Sequence, residues 1–164
     1  MNHTIKSLKT SKLHFLLGTW KGTGKGYFPT IDSFEYIEEL VFEIDQKHDA
    51  IHYQQRTWLK NDQSPSHWES GFITPSETEE NIFYFSNAQG NGRLELLKGV
   101  FDESDHEKVL HCHSELLHHD PRLITSERRF QIVGDQMSYI MKMATQKTPN
   151  HQQHLEAELS KVIG

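Results

Sequence analysis

One group of histidines in this 164-residue sequence has the close spacing of candidate metal ligands. His111 and His113 flank Cys112, and His118 and His119 follow shortly after. No CxxC or HExxH pattern accompanies them, and alternation places His111 and His113 together on one face of a predicted strand. We therefore expect a solvated strand and turn here rather than a zinc cluster.

The stretch GTWKGTGKGYFP, at residues 18–29, resembles part of a phosphate-binding loop. That loop needs a glycine at the position of Thr19 and a serine or threonine at that of Gly26, so the pattern fails at both ends. Every second residue is instead a glycine or Trp20, which indicates a strand with a nearly bare inner face. A bend, another backbone or a ligand approaches such a face, and the residues leave these alternatives open. The residues on that face are Gly18, Trp20, Gly22, Gly24 and Gly26.

Nucleophilic catalysis has little support in the sequence. Cys112 is the single cysteine and lies in no recognisable catalytic motif. The ESG at residues 69–71 is not a GxSxG elbow. We assign the carboxylates of EYIEEL, at residues 35–40, and of HLEAEL, at residues 154–159, to the outer face of the fold. A single cysteine also excludes an intrachain disulfide, in agreement with a reducing compartment.

Length and charge limit the class of protein. The formal net charge is -6 and the basic residues are scattered, which disfavours nucleic acid as a partner. The first residues contain no apolar run typical of a signal peptide, and no stretch is long enough to span a membrane. We expect a cytoplasmic protein without a membrane partner. The length predicts a single domain over residues 1–164, with a flexible N-terminus at residues 1–10.

Nearly all the elements that must position these residues are strands. A short apolar helix is predicted at residues 11–17, followed by the glycine strand and nine further strands separated by turn residues. No long crossover separates them, so neighbours should form antiparallel hairpins. The sequence predicts an all-β fold, a closed or nearly closed ten-stranded antiparallel up-and-down barrel whose short N-terminal helix caps one mouth. The nine strands are predicted at residues 35–44, 51–59, 67–73, 82–86, 92–101, 108–116, 124–133, 137–144 and 155–162.

Three strands have apolar inward faces, and a barrel of this strand number can keep an interior cavity. The methionines suit an adaptable pocket wall, and they equally suit a filled core. The inward sets are Tyr36, Leu40, Phe42 and Ile44; Met137, Tyr139, Met141 and Met143; and Leu155, Ala157 and Leu159.

Seven segments, in order along nearly the whole chain, resemble the nitrobindin family of haem-binding β-barrels. This family has a fatty-acid-binding-protein-like appearance and also occurs as the C-terminal domain of some THAP-type proteins. The glycine-rich strand and the terminal histidine segment together are the specific part of the resemblance. The segments are LLGTWKGTGKGYFPTI (16–31), FEYIEELVF (34–42), YQQRTWL (53–59), HWESGF (67–72), LELLKG (94–99), MKMAT (141–145) and HLEAEL (154–159).

The resemblance implies one ferric haem b per chain, held near the barrel mouth. It assigns the axial iron ligand to His154, places His67 next to the distal region, and places Met143 near the haem. Ser66 departs from the family, which often has an apolar residue there, so a wetter distal side is expected. Gly22 and Gly24 would leave a thin wall where a haem edge or the closing strand approaches.

The functions that the resemblance implies are isomerisation of peroxynitrite to nitrate at ferric haem and binding of nitric oxide. The expected partners are these small molecules, and the chain is expected to be a monomer or homodimer. A rival hypothesis is a haem-free carrier of a fatty acid or another small hydrophobic ligand in the same barrel.

Strict alternation conflicts with the assignment of His154, because it places this residue on the face opposite Leu155 and Ala157. We expect His154 to lie in the loop just before strand pairing begins, where alternation does not apply. His151, three residues earlier, offers the same chemistry without the family motif.

Overall fold

In the computed structural model, which describes residues 8–164, side chains alternate between inward and outward faces along ten strands that follow a 3-10 helix. The helix spans Lys9–Leu16. The strands are β1 Gly18–Gly26, β2 Phe34–Asp45, β3 Ala50–Leu59, β4 Pro65–Pro75, β5 Ile82–Gln89, β6 Leu94–Glu103, β7 Lys108–His118, β8 Leu123–Val133, β9 Gln136–Thr145 and β10 Gln152–Lys161.

Each strand pairs with its sequence neighbour, and β1 also pairs with β10, which closes the barrel. All pairings are antiparallel, and within the described residues no strand edge is left unpaired. The closing register places Gly22 opposite Leu159 and Gly24 opposite Ala157. The predicted ten-stranded antiparallel barrel is confirmed.

The predicted boundaries differ from the observed ones by only a few residues at most strands. β5 continues to Gln89, and β10 begins at Gln152 rather than at residue 155. Of the predicted flexible N-terminus, residues 1–7 lie outside the described part of the chain, while Lys9 and Thr10 belong to the helix.

The N-terminal helix closes one end of the barrel. Leu13 and Leu16 are buried in the main apolar core, and the Trp20 indole Nε1 donates to the Leu16 carbonyl at 2.7 Å. Full burial of such a leucine is worth roughly 1.5–3 kcal/mol relative to exposure. Side chains fill the interior at this end, and the remaining interior space lies at the opposite end. Among the described residues, no helix has the length and apolar character needed to cross a membrane.

Candidate functional site

Two adjoining cavities occupy the end of the barrel opposite the helix. The first has a volume of about 270 Å³ and the second of about 310 Å³. Phe28, Arg93 and Met143 line both cavities, so the two spaces adjoin. Of the predicted site residues, Met143 thus borders both spaces, whereas His67 lines the first and His154 lines the second.

His154 lies at a β-bulge on β10, with its side chain inside the barrel. The register between β10 and β9 shifts between Gln153 and Leu155, and His154 is 1% exposed. The prediction that His154 precedes the strand is wrong, because β10 already begins at Gln152. The extra residue of the bulge, rather than a loop, breaks the alternation and lets His154 and Ala157 both face inward.

The imidazole of His154 is fixed in one tautomer. Its Nδ1 lies 2.9 Å from the carbonyl oxygen of Gln152, and because a carbonyl only accepts, Nδ1 carries the proton. Its Nε2 makes no hydrogen bond to any described residue, and the ring packs against Phe28 at a centroid distance of 5.1 Å. A neutral imidazole bound to a backbone carbonyl through one nitrogen, with the other free, is what an axial iron ligand requires. The residues present therefore fit a haem.

A second, smaller apolar cluster lies at this end of the barrel. The methionines divide between the two uses that the sequence left open: Met137 belongs to the main core, and Met141 and Met143 line the first cavity. The flexible methionine side chains suit a wall that adapts to a ligand. The cluster comprises Leu123, Met141 and Met143, with Phe28, Leu117 and Leu155 packed against it.

His67 lies on β4 and lines the first cavity together with Ser66. Its Nε2 is 2.8 Å from Oε2 of Glu69 and donates to that carboxylate. About one third of the His67 side chain is exposed, 34%. His67 lines the first cavity and His154 lines the second, and Phe28 is among the residues that the two linings share.

Gly22 and Gly24 lie on the inner face of β1, but both are absent from the residues that line the two cavities. A Cβ on Gly22 would lie 1.9 Å from the carbonyl oxygen of Glu158 on β10. A Cβ on Gly24 would lie 2.2 Å from Cζ of Tyr36, which itself lines the first cavity. The closing strand thus accounts for Gly22 and a cavity-lining ring for Gly24; contact of either with a ligand stays a prediction.

A buried polar network adjoins the first cavity, and sequence reasoning missed it. The assignment of Glu38 to the outer face is wrong, because this side chain is completely buried. Gln55 Nε2 donates to Glu38 Oε1 at 2.5 Å, and the Tyr139 hydroxyl donates to Oε2 at 2.8 Å. The sequence did contain the signal, since Glu38 shares its parity with Tyr36 and Leu40, both predicted to face inward.

The rest of the network surrounds Arg128. Its guanidinium pairs with Glu69, and its Nη2 lies 2.9 Å from Oε2 of Glu95. The Tyr53 hydroxyl donates to Glu69 at 2.5 Å, and all four side chains are buried. These residues come from β3, β4, β6 and β8, so no local sequence motif predicts their contacts.

Burial and the neighbouring charges give the interior groups different protonation states. Burial raises the pKa of Glu38 to about 8, so this carboxyl is mostly protonated at neutral pH. Burial would also raise the pKa of Glu69, but Arg128 and His67 hold it well below its ordinary value. Burial raises the pKa of the Cys112 thiol to about 12, so this thiol is protonated at neutral pH.

Comparison with known proteins extends over almost the whole barrel. The sequence profile described as "THAP4-like, heme-binding beta-barrel domain" matches residues 9–161. An Arabidopsis thaliana protein named peroxynitrite isomerase Rv2717c is 35% identical over 150 residues, which cover 92% of this chain and 87% of the relative. A Mycobacterium marinum protein named peroxynitrite isomerase 2 is 31% identical over 147 residues, covering 88% of this chain and 89% of the relative.

Solved structures agree with the barrel. The crystal structure of Rv2717c from M. tuberculosis superposes with a TM-score of 0.87 at 27% identity, covering 96% of this chain and 99% of the other. The S-type phycobiliprotein lyase CPES from Guillardia theta superposes with a TM-score of 0.60 at 11% identity, covering 98% of this chain and 96% of the other. The second likeness concerns the fold alone.

Proposed function

The chain belongs to the family of the THAP4-like, heme-binding β-barrel domain, and from this premise we propose that it binds one ferric haem b and isomerises peroxynitrite to nitrate. The observation that supports this proposal most directly is the buried imidazole of His154. Its Nδ1 donates to the Gln152 carbonyl, and its Nε2 has no hydrogen-bond partner among the described residues. Relatives that share 35% and 31% identity and are named peroxynitrite isomerases support the reaction. We extend the proposal to binding of nitric oxide, a small ligand for the same site.

In this proposal His154 would bind the haem iron, and Met143 and Phe28, which line the same cavity, would pack against the cofactor. The second cavity also carries three cationic side chains, two of which pair with Asp120 in the same lining, and their excess positive charge would attract the carboxylates of a haem. These are Arg93, Arg122 and Lys147. Gly22 and Gly24 shape the wall indirectly, through the closing strand and the Tyr36 ring.

The haem supplies the bond rearrangement that converts peroxynitrite to nitrate. The chain's own residues position and enclose the reactants. The carbonyl of Gln152 holds the His154 ring in one orientation, with Nε2 directed away from this hydrogen bond. His67 and Ser66 provide polar groups at the first cavity, where we place the approach of the small anion. In this proposal the closed barrel admits small ligands to the interior and excludes large ones.

The haem-free carrier is not favoured by the lining of the first cavity. A fatty-acid chain needs a continuous apolar wall, because burial of unpaired polar groups against hydrocarbon costs free energy. One side of this cavity is polar instead. Its polar residues include Gln55, Thr57, Ser66, His67, Glu69, Gln89, Asn91 and Arg93.

The proposal also covers domain organisation, oligomeric state and cellular location. We place the function in a single domain that spans residues 1–164, acting as a monomer or homodimer in the cytoplasm. Because the cavities, His154 and the polar network all lie within one closed barrel, one chain holds every residue that the proposal uses.

The test is an optical titration of the purified full chain with ferric haem, compared with His154→Ala and with His151→Ala. His151 is the matched control because it lies three residues away and is exposed. We expect a Soret shift that saturates at one haem per chain in the wild type and in His151→Ala, and its loss in His154→Ala. Haem-loaded wild type mixed with peroxynitrite should then give more nitrate, at the expense of nitrite, than buffer does.

The outcomes separate the hypotheses. If the wild type shows no Soret shift but binds a fluorescent fatty acid that an unlabelled fatty acid displaces, the haem-free carrier hypothesis replaces this proposal. Haem binding with a nitrate yield equal to that of buffer would keep the haem site and reject the isomerase activity.

A further inference from the structure

Three histidines converge on one carboxylate on the outer face of the barrel. His111 and His113 lie on β7, Glu127 lies opposite His113 on β8, and His151 lies just before β10. His111 Nε2 is 2.6 Å from Glu127 Oε1, while His113 Nδ1 and His151 Nε2 are 4.0 Å and 2.7 Å from Oε2. As predicted, His111 and His113 share the outer face. Their meeting with Glu127 and His151 follows only from the tertiary structure.

Donor atoms of His111, His113 and Glu127 all lie within 4.8 Å of one another. The two imidazole rings are 4.3 Å apart between centroids, and both project from one rigid strand. A ligand that binds all three therefore requires only small side-chain adjustments, because the backbone already brings the donors together.

Because Glu127 joins the two histidines, we propose, against the expectation from the sequence alone, that His111, His113 and Glu127 bind a divalent transition metal of the zinc type, with water completing the coordination. Two imidazoles and a carboxylate suit Zn²⁺ and neighbouring first-row ions, whereas Mg²⁺ and Ca²⁺ prefer sites built from oxygen. The site is independent of the haem, because its donors face outward and its residues line neither interior cavity.

Both carboxylate oxygens of Glu127 already accept hydrogen bonds from the imidazoles around it, from His111 at 2.6 Å and from His151 at 2.7 Å. Two neighbouring cations weaken the attraction of this site for a metal ion. One is Lys142, the cross-strand partner of Glu127 on β9, and the other is Arg129, opposite His111. Arg129 is turned toward Gln131, to which it donates at 2.7 Å.

His151 acts in this site as a positioning residue. Its Nδ1 is 3.1 Å from the Thr125 hydroxyl, and its Nε2 is 2.7 Å from Glu127. A histidine held at one nitrogen in this way orients the carboxylate that it contacts. The same contacts attach the segment before β10 to β8.

The test is equilibrium dialysis of the chelator-treated full chain against Zn²⁺, with metal analysis, and a parallel Co²⁺ titration followed by visible absorption. We expect one Zn²⁺ per chain at micromolar free metal and a tetrahedral-type Co²⁺ spectrum. His113→Ala and Glu127→Gln should each weaken binding roughly tenfold or more, and His151→Ala should weaken it less. Mg²⁺ at the same concentrations should not compete.

Two control variants decide which histidines bind the metal. His118→Ala removes a histidine from the end of the same strand, and His154→Ala removes the proposed haem ligand; both should retain wild-type Zn²⁺ affinity. The proposal is overturned by absence of stoichiometric binding, by unchanged affinity in both His113→Ala and Glu127→Gln, or by loss of binding in His154→Ala. Circular dichroism of each variant verifies that the barrel is folded.

Discussion

The imidazole Nδ1 of His154 donates to the carbonyl oxygen of Gln152, 2.9 Å away on the same strand. This bond lies at the bulge that turns the His154 side chain into the barrel. One local irregularity of the backbone therefore both aims the ring inward and fixes the proton on Nδ1. The position and the chemical form of the proposed iron ligand have the same structural cause.

The first prediction concerns His154→Gly, which removes the imidazole and leaves its volume empty. Haem binding should be lost and then restored by added imidazole, because the residues around the ring remain in place. The measurement is the Soret band during imidazole titration. His151→Gly, which leaves the interior unchanged, should bind haem without imidazole. Haem binding by His154→Gly alone, at wild-type affinity, would remove His154 from the site.

The barrel could be predicted from the sequence because its signal is local and repeated. Ten short segments alternate with period two and are separated by turn residues, so errors at single strand ends do not change the topology. Parity also indicates the inward position of Glu38, which shares a strand face with Tyr36 and Leu40, although a glutamate ordinarily faces solvent.

Other features of the site could not be read from the sequence. A bulge inserts one residue into the alternation, and nothing in the residues around His154 marks the position of that insertion. The contacts of Arg128 with Glu69 and Glu95 join residues 59 and 33 positions apart. Such contacts depend on which strands become neighbours and on their register.

The second prediction is that Arg128→Leu strongly destabilises the barrel. The substitution leaves the buried carboxylates of Glu69 and Glu95 without their shared cation, and such a loss costs about 3–5 kcal/mol. The measurement is the free energy of unfolding from urea denaturation. The double variant Arg128→Leu/Glu69→Leu should recover part of the loss. A loss below about 1 kcal/mol in the single variant would contradict a net stabilising role for this cation.

The third prediction concerns the pH dependence that Glu38 imparts. Its pKa is about 8 in the folded barrel and near 4.5 when unfolded, so the folded state holds a proton that the unfolded state releases between these values. The contribution of Glu38 to stability is therefore complete below about pH 4.5 and decreases as the pH rises toward 8.

Glu38→Gln imitates the protonated carboxyl and should remove this dependence. The free energy of unfolding of the variant, relative to the wild type, should increase by about 2–4 kcal/mol between pH 5 and pH 8. Subtraction of the two curves cancels titration of the histidines common to both proteins. A difference that does not change with pH would show that Glu38 is ionised in the folded barrel.

The fourth prediction concerns barrel closure at Gly22. Gly22→Ala places a Cβ 1.9 Å from the backbone oxygen of Glu158, and because this atom belongs to β10, the closing strand itself must move. We expect a loss of about 1–3 kcal/mol of unfolding free energy and faster amide exchange between β1 and β10. Gly90→Ala is the matched control, since its nearest contact would be an ordinary 3.4 Å. Equal stability and exchange in the two variants would mean that β1 and β10 can separate at Gly22 at negligible cost.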